Sequence, residues 1–134
     1  MGAVVRNLIN DQLLRLSYKD PKNIRSFFRN WGGLESLSNK GDTVATCILV
    51  DLKEVTGIDL ELYDRHNRKL FNLCYLKGKL SQYQFMAIVY TLVLGYTQDD
   101  VAFVMGVDQS VVSKNINSGI KKIQRELNAF EEVG

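Results

Sequence analysis

Proline occurs once in this chain of 134 residues, at Pro21. Elsewhere the apolar residues recur at intervals of three and four, whereas a half-buried strand would alternate apolar with polar residues. Because proline breaks the interior of a helix, a chain with a single proline and this spacing can be helical along most of its length. The sequence therefore predicts an all-α fold, a multi-helix bundle.

The composition is that of a globular protein, with 46% hydrophobic and 24% charged residues. We expect an N-terminal helical lobe of unassigned function at residues 1–57 and a C-terminal lobe at residues 58–134, with the boundary after Gly57. No apolar run approaches the ~20 residues of a membrane span, and polar residues interrupt the first apolar positions, unlike in a signal peptide. These features predict a cytoplasmic protein without a membrane partner. Cys47 and Cys74 have apolar neighbours and no ligand spacing, which predicts reduced core thiols.

Four helices are predicted in the first part of the chain. The first has an apolar stripe from Val5 to Leu16, formed with Leu8, Ile9 and Leu13. Asp20-Pro21 begins the second, which runs to Trp31 and ends at Gly32-Gly33, and residues 34–42 are then a connector. The third has the buried stripe Val44, Cys47, Ile48, Leu52 and Val55 and ends at Gly57. The fourth spans residues 60–76.

Two capping boxes begin the next helices. Ser81 with Gln84 predicts the start of a helix that runs to Leu94 and ends at Gly95. Thr97 with Asp100 predicts the start of a short helix whose Val101, Ala102 and Met105 face inward. Alanine is small enough to let a second helix cross this one closely.

Gly106-Val107-Asp108 predicts a turn, with glycine in a left-handed conformation and aspartate as the cap of the following helix. That last helix buries an apolar face made of Val112, Ile116, Ile120, Ile123 and Leu127. Its exposed polar residues near the N-terminus are Gln109, Ser110, Ser113, Lys114 and Asn117. None of these five is acidic, and all can form hydrogen bonds with base edges or phosphates.

The stretch 98–117 resembles the helix-turn-helix of bacterial and phage repressors. With the preceding helix, residues 62–127 resemble the C-terminal promoter-reading region of sigma-70-type factors and sigma-like phage regulators; the N-terminal half resembles no family. The resemblance implies that the last helix enters the major groove of double-stranded DNA, where its early residues contact bases. The sequence departs from this family in one respect. Lys114 is the only basic residue of the last helix before Lys121, whereas the recognition helices of sigma-like proteins are richer in arginine and lysine.

The charge distribution is consistent with such a partner. Between Arg65 and Arg125 nine residues are basic and three are acidic, although the net charge of the chain is only +2. We expect phosphate contacts from five lysines: Lys77, Lys79, Lys114, Lys121 and Lys122. The leading hypothesis is a transcription regulator that binds DNA in a sequence-specific way, without a cofactor, and gains affinity as a homo-oligomer.

Two alternatives stay open. One is a phage terminase small subunit that displays the motif on a ring, and the other is a protein-interaction module that contacts RNA polymerase. An enzyme is not expected, because no triad, phosphate-binding loop or metal-ligand spacing is present. His66 is interpreted as a core residue, Asp59, Glu61 and Asp64 as a solvated helix start, and Trp31 with Phe27 and Phe28 as core.

Overall fold

The computed structural model describes residues 14–60 and 75–133, with side chains as far as 129. Within these two ranges all regular secondary structure is helical, which confirms the all-α prediction. Residues 14–17 are helical, and the following helices are α1 (Pro21–Arg29), α2 (Trp31–Asn39), α3 (Thr43–Thr56), α4 (Gln82–Ile88, continued by a π-helix at Val89–Val93), α5 (Gln98–Met105) and α6 (Gln109–Val133).

Several predictions lie outside the described residues. They concern most of the first helix, up to Leu13, and nearly all of the helix predicted at residues 60–76. The individual residues that fall there are Glu61, Asp64, Arg65, His66, Arg68, Lys69 and Cys74.

Helix α1 begins as predicted, because the side chain of Asp20 accepts a hydrogen bond from the backbone N–H of Lys22, with Pro21 in the first turn. Its end was predicted wrongly. The helix stops at Arg29, and α2 begins at Trp31, so Gly32-Gly33 lie in the first turn of a new helix and the predicted connector is largely helical. The side chain of Asn30 occupies the space beside Gly33. A Cβ added to Gly33 would lie 2.3 Å from Oδ1 of Asn30, so a larger residue at this position would displace that side chain.

The aromatic residues of this region belong to the core, as predicted. Phe28 and Trp31 are buried and stack with ring centroids 5.9 Å apart. Phe27 is half-buried at the edge of the same core, where its ring meets that of Tyr18 edge-on at 6.3 Å. Burial of Trp31 and Leu34 holds α2 in place despite its two glycines, because buried apolar area outweighs the weak helix propensity of glycine.

Helix α3 matches its prediction in both ends. The side chain of Asp42 accepts from the N–H of Ala45 at 2.9 Å, and Gly57 ends the helix with a left-handed φ of 77°. Four residues of the predicted stripe are buried, including Cys47, but Val44 is 36% exposed. In the first predicted helix, Leu16 does not belong to the buried stripe, because it is 66% exposed. Leu14 and Tyr18 are the residues that face the core at the end of that helix.

Helix α4 begins with the complete capping box, Ser81 accepting from the N–H of Gln84 while the Gln84 side chain accepts from the N–H of Ser81. The predicted extent to Leu94 is correct, but the last turn widens into a π-helix, where the N–H of Leu94 donates to the carbonyl of Val89. Gly95 follows with a φ of 81°.

Helix α6 is the element on which the others pack. Its buried face contacts α1, α3, α4 and α5. The approach to α4 is close: a Cβ at Gly119 would stand 2.6 Å from Cδ1 of Ile88. One continuous cluster of buried side chains extends from Leu14 to Leu127, so both predicted lobes contribute to the same core. In the ranges described, every helix is too short or too polar to cross a membrane.

Candidate nucleic-acid interface

Helices α5 and α6 are joined by a three-residue turn, as the sequence predicts. Thr97 caps α5 by accepting from the N–H of Asp100 at 3.1 Å. Gly106 adopts a φ of 70°, and the N–H of Val107 donates to the carbonyl of Ala102, which closes the end of α5. The carbonyl of Asp108 then accepts from the N–H of Val111 in the first turn of α6.

The inward face of α6 is buried as predicted. All five of its expected apolar residues are at most 2% exposed, from Val112 to Leu127. On α5, Val101 and Ala102 are buried, and Met105 is half-buried. Because α6 is held along its whole inner side, its outer side has a fixed orientation relative to α5.

The five predicted contact residues lie together on that outer side. Gln109, Ser110, Lys114 and Asn117 are exposed, and Ser113 is half-buried. Their spacing of three and four residues places them in one row along the helix. We call this row the polar stripe; it continues through Lys121, Gln124 and Asn128.

Two neighbours orient members of the polar stripe. The amide nitrogen of Gln109 donates to Oε1 of Gln98, the first residue of α5. The amide oxygen of Asn117 accepts from Nη2 of Arg25, which belongs to α1. Both contacts hold an exposed side chain in one direction, which reduces the conformational entropy lost on binding.

The segment that precedes α1 lies beside the second half of the polar stripe. Nε2 of Gln124 donates to the carbonyl of Lys19 at 2.7 Å, and Nδ2 of Asn128 donates to the carbonyl of Tyr18 at 3.4 Å. The stripe is therefore open to solvent mainly in its first half, between Gln109 and Lys121.

Basic residues are frequent both on α6 and on the N-terminal residues 14–29 that contact it. On α6, Lys114, Lys121 and Arg125 are exposed and Lys122 is half-buried. Residues 14–29 contain one acidic residue and five basic residues, which are Arg15, Lys19, Lys22, Arg25 and Arg29. This N-terminal contribution cannot be predicted from local patterns, because Arg25 is 92 residues from Asn117 and only the fold brings them together.

Lys77 and Lys79 lie on a different segment. Both are exposed, and the backbone N–H of Lys79 donates to the carbonyl of Val55 at 2.7 Å, which attaches this segment to the end of α3. Gly78 between them fits tightly against Thr56, whose carbonyl carbon is 2.3 Å from the place of a Cβ. These two lysines are therefore not part of the polar stripe.

The second half of α5 exposes two adjacent large apolar side chains. Phe103 is 88% exposed and Val104 is 73% exposed. Val104 also lines a pocket of about 270 Å³ between α5 and the π-helix, together with Met86, Tyr90 and Tyr96. Burial raises the pKa of Tyr90 above its ordinary value, and the neighbouring Tyr96 hydroxyl raises it further.

No group of three or more histidine, cysteine or acidic side chains that could hold a metal ion occurs among the residues described. Comparisons of the chain with protein-family models, with curated proteins and with solved structures found no significant match. The geometry of α5 and α6, with the residues around them, is what indicates the function of the chain.

Proposed function

We propose that this chain binds double-stranded DNA in a sequence-specific way, by placing the first half of α6 in the major groove. The observation that carries the proposal is the polar stripe: an acid-free and mostly exposed row on a helix whose opposite face is buried from Val112 to Leu127. The major groove is about 12 Å wide and admits one α-helix, and its base edges present hydrogen-bond donors and acceptors.

The residues of the stripe then divide by position. Gln109, Ser110, Ser113, Lys114 and Asn117 face the base edges, since early residues of such a helix enter most deeply. Lys121 and Lys122 follow further along α6, where the helix leaves the groove and meets phosphates. Lys77 and Lys79 add phosphate contacts from the segment that is attached to the end of α3.

The chemistry fits a transcription regulator of the bacterial or phage type better than a general DNA-coating protein. A coating protein gains its affinity from many phosphate contacts, whereas this stripe begins with amides and hydroxyls and has one lysine in its first two turns. With so few charges, firm binding calls for a second copy of the chain on a second half-site.

Selection of bound sequences from a random DNA pool tests the proposal. The wild-type chain should enrich a defined sequence, and two half-sites separated by about one helical turn would show a dimer. Lys114→Met should weaken binding by about 1–3 kcal/mol with a changed base preference if Lys114 contacts a base, or equally for all sequences if it contacts phosphate.

Lys53→Met is the matched control, because it removes the same charge from an exposed position on α3. It should leave the selected sequence unchanged. A wild-type pool with no enrichment at low salt would overturn the proposal.

A second candidate function is a protein contact through α5, for example with RNA polymerase. The exposed Phe103 and Val104 favour it, because adjacent large apolar side chains on a short helix commonly mark a binding surface. Phe103→Ser should abolish such a contact and leave DNA binding unaffected, whereas Lys114→Met should weaken DNA binding and leave the protein contact unaffected. The two variants together distinguish the two candidate functions.

A further inference from the structure

Arg25 brings α1 into contact with the part of α6 that is proposed to meet DNA. Its guanidinium donates to Oδ1 of Asn117, the last of the five predicted contact residues. Arg25 is half-buried and Asn117 is exposed, so the contact lies at the edge of the polar stripe. Further along the stripe, Gln124 and Asn128 donate to carbonyls of Lys19 and Tyr18, in the segment that precedes α1.

The chemistry of the pair determines which end of the Asn117 amide is available to a ligand. An arginine side chain can only donate hydrogen bonds, so the amide must present its oxygen to Arg25. The amide nitrogen, with two N–H donors, is then the end that is left for a partner. A free asparagine could turn either end towards a base, whereas Asn117 held in this way offers donors.

We propose that Arg25 is a positioning residue of the DNA interface, which fixes Asn117 as a hydrogen-bond donor towards a base edge. This inference rests on the proposed function. In the major groove the acceptors that such a donor can meet are N7 and O6 of guanine, N7 of adenine and O4 of thymine. Asn117 should therefore discriminate against cytosine, which offers an amino donor at the corresponding position.

The basic residues around Arg25 also favour a DNA position beside α1. Lys22, Arg25 and Arg29 follow one another at intervals of three and four residues, which places them on one face of α1. The only acid of residues 14–29 is Asp20, which caps the helix. Since Arg25 lies against the stripe, this basic face borders the proposed groove and is placed to contact the phosphates of the adjacent strand.

The test compares base preferences among variants of the full chain in selection from a random DNA pool. Asn117→Ala identifies the base position that depends on Asn117. Arg25→Met removes the donor and the charge but keeps the aliphatic length, and it should reduce discrimination at that same position by roughly fivefold or more. Arg25→Lys keeps a donor and should preserve the preference.

Arg29→Met is the matched control for charge. It removes one positive charge from the same helix, one turn away, so it should weaken binding equally for all sequences and leave the preference intact. Asn117→Asp provides a second, independent readout. A carboxylate held by Arg25 offers only acceptors, so the preference should change to a base with an amino donor, cytosine or adenine.

The outcomes separate the inference from the function on which it rests. If the wild type binds DNA but Arg25→Met keeps the wild-type preference at the Asn117 position, the inference is wrong and the proposed function stands. The same holds if Asn117→Asp leaves the preference unchanged. If the wild type enriches no sequence, the proposed function fails and takes the inference with it. Thermal unfolding followed by circular dichroism verifies that each variant is folded.

Discussion

The first residues of α5 and α6 are joined by a side-chain hydrogen bond, in which Nε2 of Gln109 donates to Oε1 of Gln98. Gln98 is half-buried and Gln109 is exposed. The bond therefore holds the side chain of Gln109, the first residue of α6, against α5. Under the proposed function, Gln98 contacts no base itself but positions Gln109, which is proposed to do so.

Gln98→Ala should weaken sequence-specific DNA binding by about 2- to 10-fold, the range expected for one net hydrogen bond. The physical reason is that Gln109 becomes free to adopt other rotamers, which must be given up on binding. Gln82→Ala is the matched control, because Gln82 is an exposed glutamine at the first position of α4. Fluorescence anisotropy with the selected duplex measures both; equal affinities for the two variants would contradict the prediction.

Tyr18 connects the N-terminal segment to α3 through a buried hydrogen bond. Its hydroxyl donates to Oδ2 of Asp51 at 2.7 Å, and Asp51 is 5% exposed. Tyr18→Phe removes the donor from a buried carboxylate and should lower the free energy of unfolding by about 1–3 kcal/mol. Urea unfolding measures the change.

The matched control for Tyr18 is Tyr83→Phe, since Tyr83 is 44% exposed. That change should stay within about 0.5 kcal/mol of the wild type. A loss of similar size in both variants would show that the buried hydrogen bond is not the cause.

Helix positions could largely be predicted from the sequence, because their signals are local. Caps such as Asp20 and Ser81, and terminal glycines such as Gly57 and Gly106, determine where helices begin and end through hydrogen bonds within a few residues. The buried face of α6 could be predicted for the same reason, since 3.6-residue periodicity needs no knowledge of the partner helices.

Gly32-Gly33 shows where local signals fail. The pair has the pattern of a helix stop, yet packing of Trp31 and Leu34 into the core favours a helix through it. The π-helix after Ile88 is likewise unmarked by any local residue pattern that we identified. The contact between Arg25 and Asn117 has no local signal either, because it depends on how α1 packs beside α6.

Gly78 is required by a close approach between two backbone segments. A Cβ there would stand 2.3 Å from the carbonyl carbon of Thr56 and 2.4 Å from its oxygen, atoms that cannot move without distorting the end of α3. Gly78→Ala should therefore lower the free energy of unfolding by about 2–3 kcal/mol. Thermal or urea unfolding measures it.

Gly32→Ala is the corresponding control, because nothing lies within 4 Å of its Cβ position. Gly32 is in the first turn of α2, so alanine should be neutral or stabilise by up to about 1 kcal/mol. The prediction for Gly78 is wrong if both variants unfold at the same urea concentration as the wild type.

Tyr90 makes the stability of the fold sensitive to alkaline pH. Its pKa in the folded protein is raised above the ordinary value of 10.0 by burial and by Tyr96. The unfolded chain then releases this proton at a lower pH than the folded one, so the contribution is complete below about pH 10 and is lost as the pH rises through the folded pKa. Tyr90→Phe should show a shallower loss of unfolding free energy above pH 10 than the wild type; an unchanged slope would argue against a buried phenol.

If α6 binds double-stranded DNA, the affinity must depend on the salt concentration. The logarithm of the association constant of the wild-type chain for a duplex should fall linearly with the logarithm of the salt concentration, by about 0.9 for each phosphate neutralised. Replacing Lys121 by methionine should reduce that slope by about 1, while Lys53→Met leaves it unchanged. Absence of a complex at low salt, or an affinity that does not change with salt, would contradict the account.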